Sequence, residues 1–215
     1  MNADAADPGP CPLCGRPLYG WVVLPPASAE PSVGMPMSGL SEQERVVDRC
    51  ENCGVAVERG AEIDLAAEWR AAGAAAGDAL GTPNRASLQA WIGVEGWAGF
   101  DRAPGRLLLS PASLELLAER NGEVLGRVRT PVSRRGQAWM WQTLLNGLTF
   151  HPNFAREVRA GGLRPRTSRG PLRFAADAVV TVLGAPLVAL LSVPLELVAA
   201  LVGRGGVMRA DPRSG

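Results

Sequence analysis

Cys11-Pro12-Leu13-Cys14-Gly15 and Cys50-Glu51-Asn52-Cys53-Gly54 are two copies of one short pattern, C-x2-C-G, with 35 residues between Cys14 and Cys50. In each copy the two-residue spacer lets the chain turn back and present two thiolates to one tetrahedral ion. The Gly that follows supplies a position free to take positive φ. Paired, the two knuckles define a four-cysteine zinc ribbon with Cys11, Cys14, Cys50 and Cys53 as ligands of one Zn2+. Four thiolates leave no open coordination position, so the expected role of the ion is structural. The separation exceeds the usual 15–20 residues or so between knuckles, which implies an extended insert. Disulfides and a C-x-x-C redox site are the alternatives. No apolar run precedes the first knuckle, so the expected compartment is the reducing cytoplasm.

Working outward, Tyr19-Gly-Trp-Val-Val-Leu24 reads as a ribbon strand that Pro25-Pro26 ends, because neither proline can donate to a ladder. Ser28 to Gly39 reads as loop, and Val55-Ala-Val57 closes the ribbon. From Asp64, a plausible N-cap, Leu65, Trp69 and Ala72 recur at helical spacing before an Ala/Gly-rich run to Gly81. Ser110-Pro111 opens a second helix, with Ser as cap and Pro at the first position, and Asn121-Gly122 stops it. Val124 to Thr130 then alternates as a half-buried strand, with Val124 and Val128 on one face. Trp141, Leu144, Leu145 and Leu148 mark an apolar helix stripe. His151, the one histidine, reads as an aromatic-flanked turn residue, since no Ser or Cys outside the knuckles pairs with it as a nucleophile.

Charge is segregated although the net is only +1. Residues 1–126 hold nine Arg against 17 acids, and residues 127–173 ten Arg against one acid. All 22 basic residues are Arg, a usage typical of GC-rich bacterial genomes. With no Lys, chemistry needing a Lys nucleophile or a Walker-type lysine is excluded. Arg156, Arg159, Arg164, Arg166, Arg169 and Arg173 form a block directly before the apolar stretch Phe174 to Gly203. The core of that stretch, Ala178 to Leu195, has 18 residues without a charge, long enough to consider as a span. Pro186 and Pro194 interrupt it, Asp177 and Glu196 bracket it, and Arg flanks both ends. Entry and exit on the cytoplasmic face are therefore expected, as a helical hairpin bent near Gly184-Ala185-Pro186. The Arg block then serves as a membrane or anion contact on the inner face of the membrane. Base-stacking aromatics are not interleaved with it, so nucleic acid is not the expected partner.

Thr82-Pro83-Asn84-Arg85-Ala86-Ser87, then Trp97, Asp101, Ser110-Pro111-Ala112-Ser113-Leu114 and Leu117-Ala118-Glu119-Arg120-Asn121-Gly122, resemble the C-terminal part of class I SAM-dependent methyltransferases. Bacterial members of that group often begin with paired cysteine knuckles, and several end in a Pro-broken apolar tail and an Arg-Gly-Gly turn, here Arg204-Gly205-Gly206. The family's cofactor half has no counterpart. Only 28 residues separate Cys53 from Thr82, whereas each βα unit needs roughly 30. The Gly-rich turn and the ribose-binding acid about 20 residues on are missing. Gly73, Gly77 and Gly81 fall at every fourth position instead, and the family's His-containing stretch is replaced by Arg102-Ala103-Pro104-Gly105-Arg106. The resemblance thus implies a relative without its SAM site: an accessory protein beside an intact methyltransferase or other partner, or a subunit of such an enzyme acting on a lipid-linked or envelope substrate.

The expected architecture is α+β. Residues 1–9 form a flexible tail, 10–60 a zinc ribbon with a Pro-rich insert, and 61–135 a methyltransferase C-terminal-like helix-strand region. Residues 136–173 form an amphipathic helix and Arg-rich segment, 174–207 an apolar helical hairpin and 208–215 a tail.

Overall fold

The computed structural model describes residues 8–24, 45–77, 81–161, 163 and 170–210. The Ser28 to Gly39 loop and most of the expected N-terminal tail lie outside these residues. Of the expected tail 208–215, the described part, 208–210, is instead strand, with Met208 fully buried, because it completes the second sheet.

Four antiparallel strands form the first sheet, in the order β1-β2-β3-β5. They are β1 (Tyr19–Leu24), β2 (Arg45–Arg49), β3 (Ala56–Glu58) and β5 (Leu107–Leu108). Tyr19 faces Arg49 and Leu24 faces Arg45, with a register shift between Gly20 and Val22. The extra residue is Trp21, whose ring packs against Trp97 and Phe100 at centroid distances of 6.4 and 5.4 Å. Bulges redirect side chains in this way. Inside the sheet, buried Asp48 accepts both Nε and Nη2 of Arg59, at 2.9 and 2.6 Å, across the β2–β3 hairpin.

One face of the sheet packs on α1 (Leu65–Gly77) and α3 (Pro111–Arg120). Knuckle cysteines, Leu13, Val55, Val57, Ala72, Leu107, Leu109, Leu114 and Leu117 share this core. Asp64 caps α1 by accepting the Ala66 N–H at 2.9 Å. Ser110 caps α3 in a reciprocal capping box with Ser113, and Gly122 follows at φ +74°. Glu68 of α1 accepts the Arg106 and Leu107 N–H groups at 2.8 and 3.0 Å, which ties helix to strand. The half-buried strand expected over Val124 to Thr130 shrinks to β6 (Val128–Arg129), and Val124 is exposed. Only that short segment meets β7 (Val207–Ala210), which lies between β6 and β4 (Thr82–Pro83) in a second small sheet.

On the other side, α2 (Leu88–Gly93) and a single 3-10 turn (Val94–Gly96) pack on α4 (Arg134–Asn146), which packs on α6 (Pro171–Leu201). The short α5 (Phe154–Ala160) also touches α6, through Phe154 and Phe174 at 5.1 Å. The buried face of α4 is Gly136, Trp139, Met140, Thr143, Leu145 and Asn146; of the expected stripe only Leu145 lies on it, Trp141 and Leu144 are half-buried and Leu148 is exposed. Because α4 has neighbours on two sides, its longest apolar stripe does not mark its most buried face.

The expected hairpin is not formed: Pro171 to Leu201 is one continuous helix with Pro186 and Pro194 inside it. A helix-interior proline costs about 3 kcal/mol and one hydrogen bond. A reversal would free several backbone groups within an apolar stretch that has few side chains to satisfy them. Antiparallel contact with the segment through α4 also supports the helix along its length. Phe150 N–H meets Asp177, Trp141 Nε1 donates to Ala185 O at 3.0 Å, and Gly136 abuts Glu196.

The polarity of α6 is inverted relative to a helix facing water. Asp177, Val188, Ser192, Glu196 and Ala199 are buried, while Leu183, Leu187 and Leu190 are 69, 65 and 72% exposed. A water-soluble amphipathic helix shows the opposite arrangement.

Candidate metal centre

The two knuckles have the same local construction. Gly15 N–H donates to Cys11 O at 2.9 Å and Gly54 N–H to Cys50 O at 3.0 Å, with the glycines at φ +71° and +75°. A non-glycine residue there would be strained. Each turn is closed by its flanks, Pro10 bridging Pro17 in the first and Arg49 pairing with Ala56 in the second.

Sheet pairing brings the knuckles face to face. Cys11 Sγ lies 3.7 Å from Cys53 Sγ, and Cys14 Sγ 3.5 Å from Cys50 Sγ. All four sulfurs lie within 4.8 Å of one another. These are free thiols, too far apart for S–S bonds. A tetrahedral ion with bonds of about 2.3 Å sets its sulfurs about 3.8 Å apart, so the cluster can hold a metal ion. Cys11, Cys50 and Cys53 are buried and Cys14 is partly exposed. Burial pushes the Cys11 and Cys53 thiols up. Burial acts the same way on Cys14, but the Arg16 N–H and contacts with Cys50, Asn52 and Cys11 outweigh it and bring that thiol down to about 7.

The second knuckle is joined to α3. Ser110 Oγ donates to Cys53 O at 2.9 Å, and a Cβ on Gly54 would come within 2.9 Å of Ser110 Oγ. Loss of the centre therefore reaches the helix cap.

The Arg block divides. Arg156 Nη2 lies 3.3 Å from Asp101 Oδ2, Arg159 is exposed at the end of α5, and Arg173 sits 5.7 Å from the Phe150 ring. Arg164, Arg166 and Arg169 fall outside the described residues.

Two polar centres that hold α6 to the body are not legible as pairs in the sequence. Asp177 accepts the Phe150 and His151 N–H groups and lies 2.6 Å from His151 Nδ1. His151 is thus committed to a buried carboxylate, in keeping with a structural turn residue. At the other end Glu196 accepts Gln89 Nε2 at 2.8 Å and Gly206 N–H at 3.1 Å, while Gln89 also donates to Gly136 O at 2.7 Å. Asn84 Nδ2 donates to Gly205 O at 2.9 Å. The bracketing of an apolar run by Asp177 and Glu196 was the available signal, but their partners lie 26 and 107 positions away.

Comparison with protein-family models, curated proteins and solved structures finds no match for this chain.

Proposed function

We propose that this chain is a non-catalytic, membrane-associated accessory protein whose paired knuckles hold a structural zinc ion. The reading rests above all on the inverted polarity of α6: Asp177 faces the Phe150-His151 turn after α4, Glu196 faces Gln89 of α2, Gly136 of α4 and Gly206, and the leucines face outward. An apolar phase is the surrounding that suits such a surface. Because α6 lies along α4, and α4 along α2, the helix lies against the body over its length. It therefore seats in the plane of one leaflet rather than crossing the bilayer. Each Leu or Val seated there contributes about 1.5–3 kcal/mol, against about 1 kcal/mol for each Arg near an anionic surface. Burial dominates, and Arg173, Arg204 and the rest of the Arg block set the cytoplasmic-side orientation.

A second reading, a subunit of a SAM-dependent methyltransferase acting on a lipid-linked or envelope substrate, has one supporting observation. The segments that carry the resemblance converge: Thr82-Pro83 pairs with Val207-Met208, Asn84 holds Gly205, and the strand after α3 joins the same sheet. The cofactor half would come from a partner, and the isolated chain is expected not to bind SAM.

Fractionation of cells expressing the full chain tests the first reading. Membrane association that resists high salt and yields to detergent is expected. Leu183→Gln, Leu187→Gln and Leu190→Gln together should release the protein with its metal content unchanged. A full-length chain that is soluble and monomeric without detergent overturns the membrane seat.

A further inference from the structure

Beside the second knuckle an open hollow of about 260 Å3 is lined by Arg49, Cys50, Glu51, Gly54 and Arg85. Its two arginines are unusually placed. Arg85 follows the Asn84 turn, its N–H fixed to Leu109 O at 2.8 Å, and its guanidinium stacks 4.4 Å over the Trp21 ring. Among the described residues that guanidinium has no carboxylate or hydrogen-bond acceptor, and its Nε is buried without a partner. Burial lowers the Arg85 pKa, and the like charge of Arg49 acts in the same direction. Arg49 has its own buried, unpartnered Nε and a single exposed pair, Nη2 to Glu51 Oε1 at 3.1 Å.

Arg85 is partly buried with the half-exposed Arg49 as a like charge beside it, an arrangement that favours an anion in the hollow beyond what Glu51 and the neighbouring thiolates supply. Stacking on one ring offsets only about 1–2 kcal/mol. Two arginines line one hollow, and the planar fork of an arginine matches phosphate oxygens. We propose that the Arg49–Arg85 hollow is a binding site for a phosphate ester, with Arg85 held in position by Trp21 and Glu51 as the rim acid that an anion displaces. The site stands independently of how α6 is seated. Its phosphate can belong to a lipid headgroup or to a soluble ester.

Calorimetry on the full, metal-loaded chain in neutral detergent, with inorganic phosphate and glycerol 3-phosphate as probes, tests the proposal. Binding is expected to weaken at least about tenfold in Arg85→Gln, the loss of one strong charge-assisted contact. Arg85→Lys should recover little of it because the fork is lost, and Glu51→Gln should tighten it. Flotation with phosphatidylcholine vesicles, with and without phosphatidic acid, separates the sources. If the part that depends on phosphatidic acid falls in Arg85→Gln, the site takes a headgroup; if it is unchanged while the soluble probes bind, the site takes a free ester. Absence of binding by either probe overturns the proposal. So does an Arg85→Gln variant that loses metal while its phosphate affinity is unchanged, since Arg85 would then serve the thiolate centre.

Discussion

The knuckle body buries its thiols among leucines and valines, whereas α6 buries a stripe that carries two carboxylates and turns its leucines outward. Both regions solve the same problem, a polar group removed from water, by different means. In the knuckles the ligand atoms sit within 4.8 Å of one another and an ion can neutralise them. In α6 each carboxylate is satisfied by backbone and side-chain donors from distant segments. The knuckles offer four ligand atoms that a metal ion can cross-link, and they are enclosed by their own strands. α6 lies along α4 on one side, with carboxylates held near both ends, and leaves its outward side to something else.

The largest effect expected is on the knuckle side. Structural zinc sites make on the order of 10 kcal/mol available to folding. Stripping the metal, or Cys53→Ser, should therefore unfold the two-knuckle sheet and abolish the near-ultraviolet circular dichroism of the Trp21–Trp97–Phe100 cluster. Reduced protein purified without chelator should carry one equivalent of zinc. Less than half an equivalent with the aromatic signal intact would remove the distinction between the two regions.

A smaller effect is expected at the α6 end. Glu196→Ala leaves the Gly206 N–H buried without its acceptor and should cost about 1–3 kcal/mol in urea unfolding. Burial raises the Glu196 carboxyl above its ordinary value, against the pull of Gln89 and the Gly206 N–H. The folded chain then holds a proton that the unfolded chain has released. This contribution is fully present below the unfolded carboxylate range and is lost as pH rises through the raised value. The unsubstituted chain should thus lose stability over that window relative to Glu196→Gln. Parallel pH profiles for the two would show that the carboxylate is not desolvated, and would weaken the view of α6 as a helix with a sequestered polar stripe.

The smallest expected effect concerns backbone strain. Gly15 and Gly54 occupy positive φ in the knuckles, but Val94 takes φ +42° at the end of α2, near α4. A β-branched residue is disfavoured there, so Val94→Gly should raise the thermal midpoint by the equivalent of about 1 kcal/mol. A fall would mean that the exposed Val94 side chain contributes contacts that outweigh the strain.

What the sequence determined is what local spacing can encode. The C-x2-C-G repeats set two turns with αL glycines, Ser110-Pro111 and Asn121-Gly122 set the ends of α3, and Asp64 capped α1. Each depends on residues within a few positions of one another, where backbone geometry leaves little choice. The apolar run from Phe174 was also legible, but not its shape. Pro186 within Gly184-Ala185-Pro186 suggested a reversal, and packing along α4 kept one helix. Periodicity marked the buried face of α4 only in part, Leu145 but not Leu148, because α4 has neighbours on two sides, and the Val124 strand shortened because only Val128 and Arg129 reach β7. Tertiary structure alone decided which acids are paired, Asp177 with His151 and Glu196 with Gln89, and which arginine is left over, Arg85 over Trp21. A carboxylate or guanidinium takes its partner from whatever the fold brings within about 3 Å, and sequence spacing does not carry that distance.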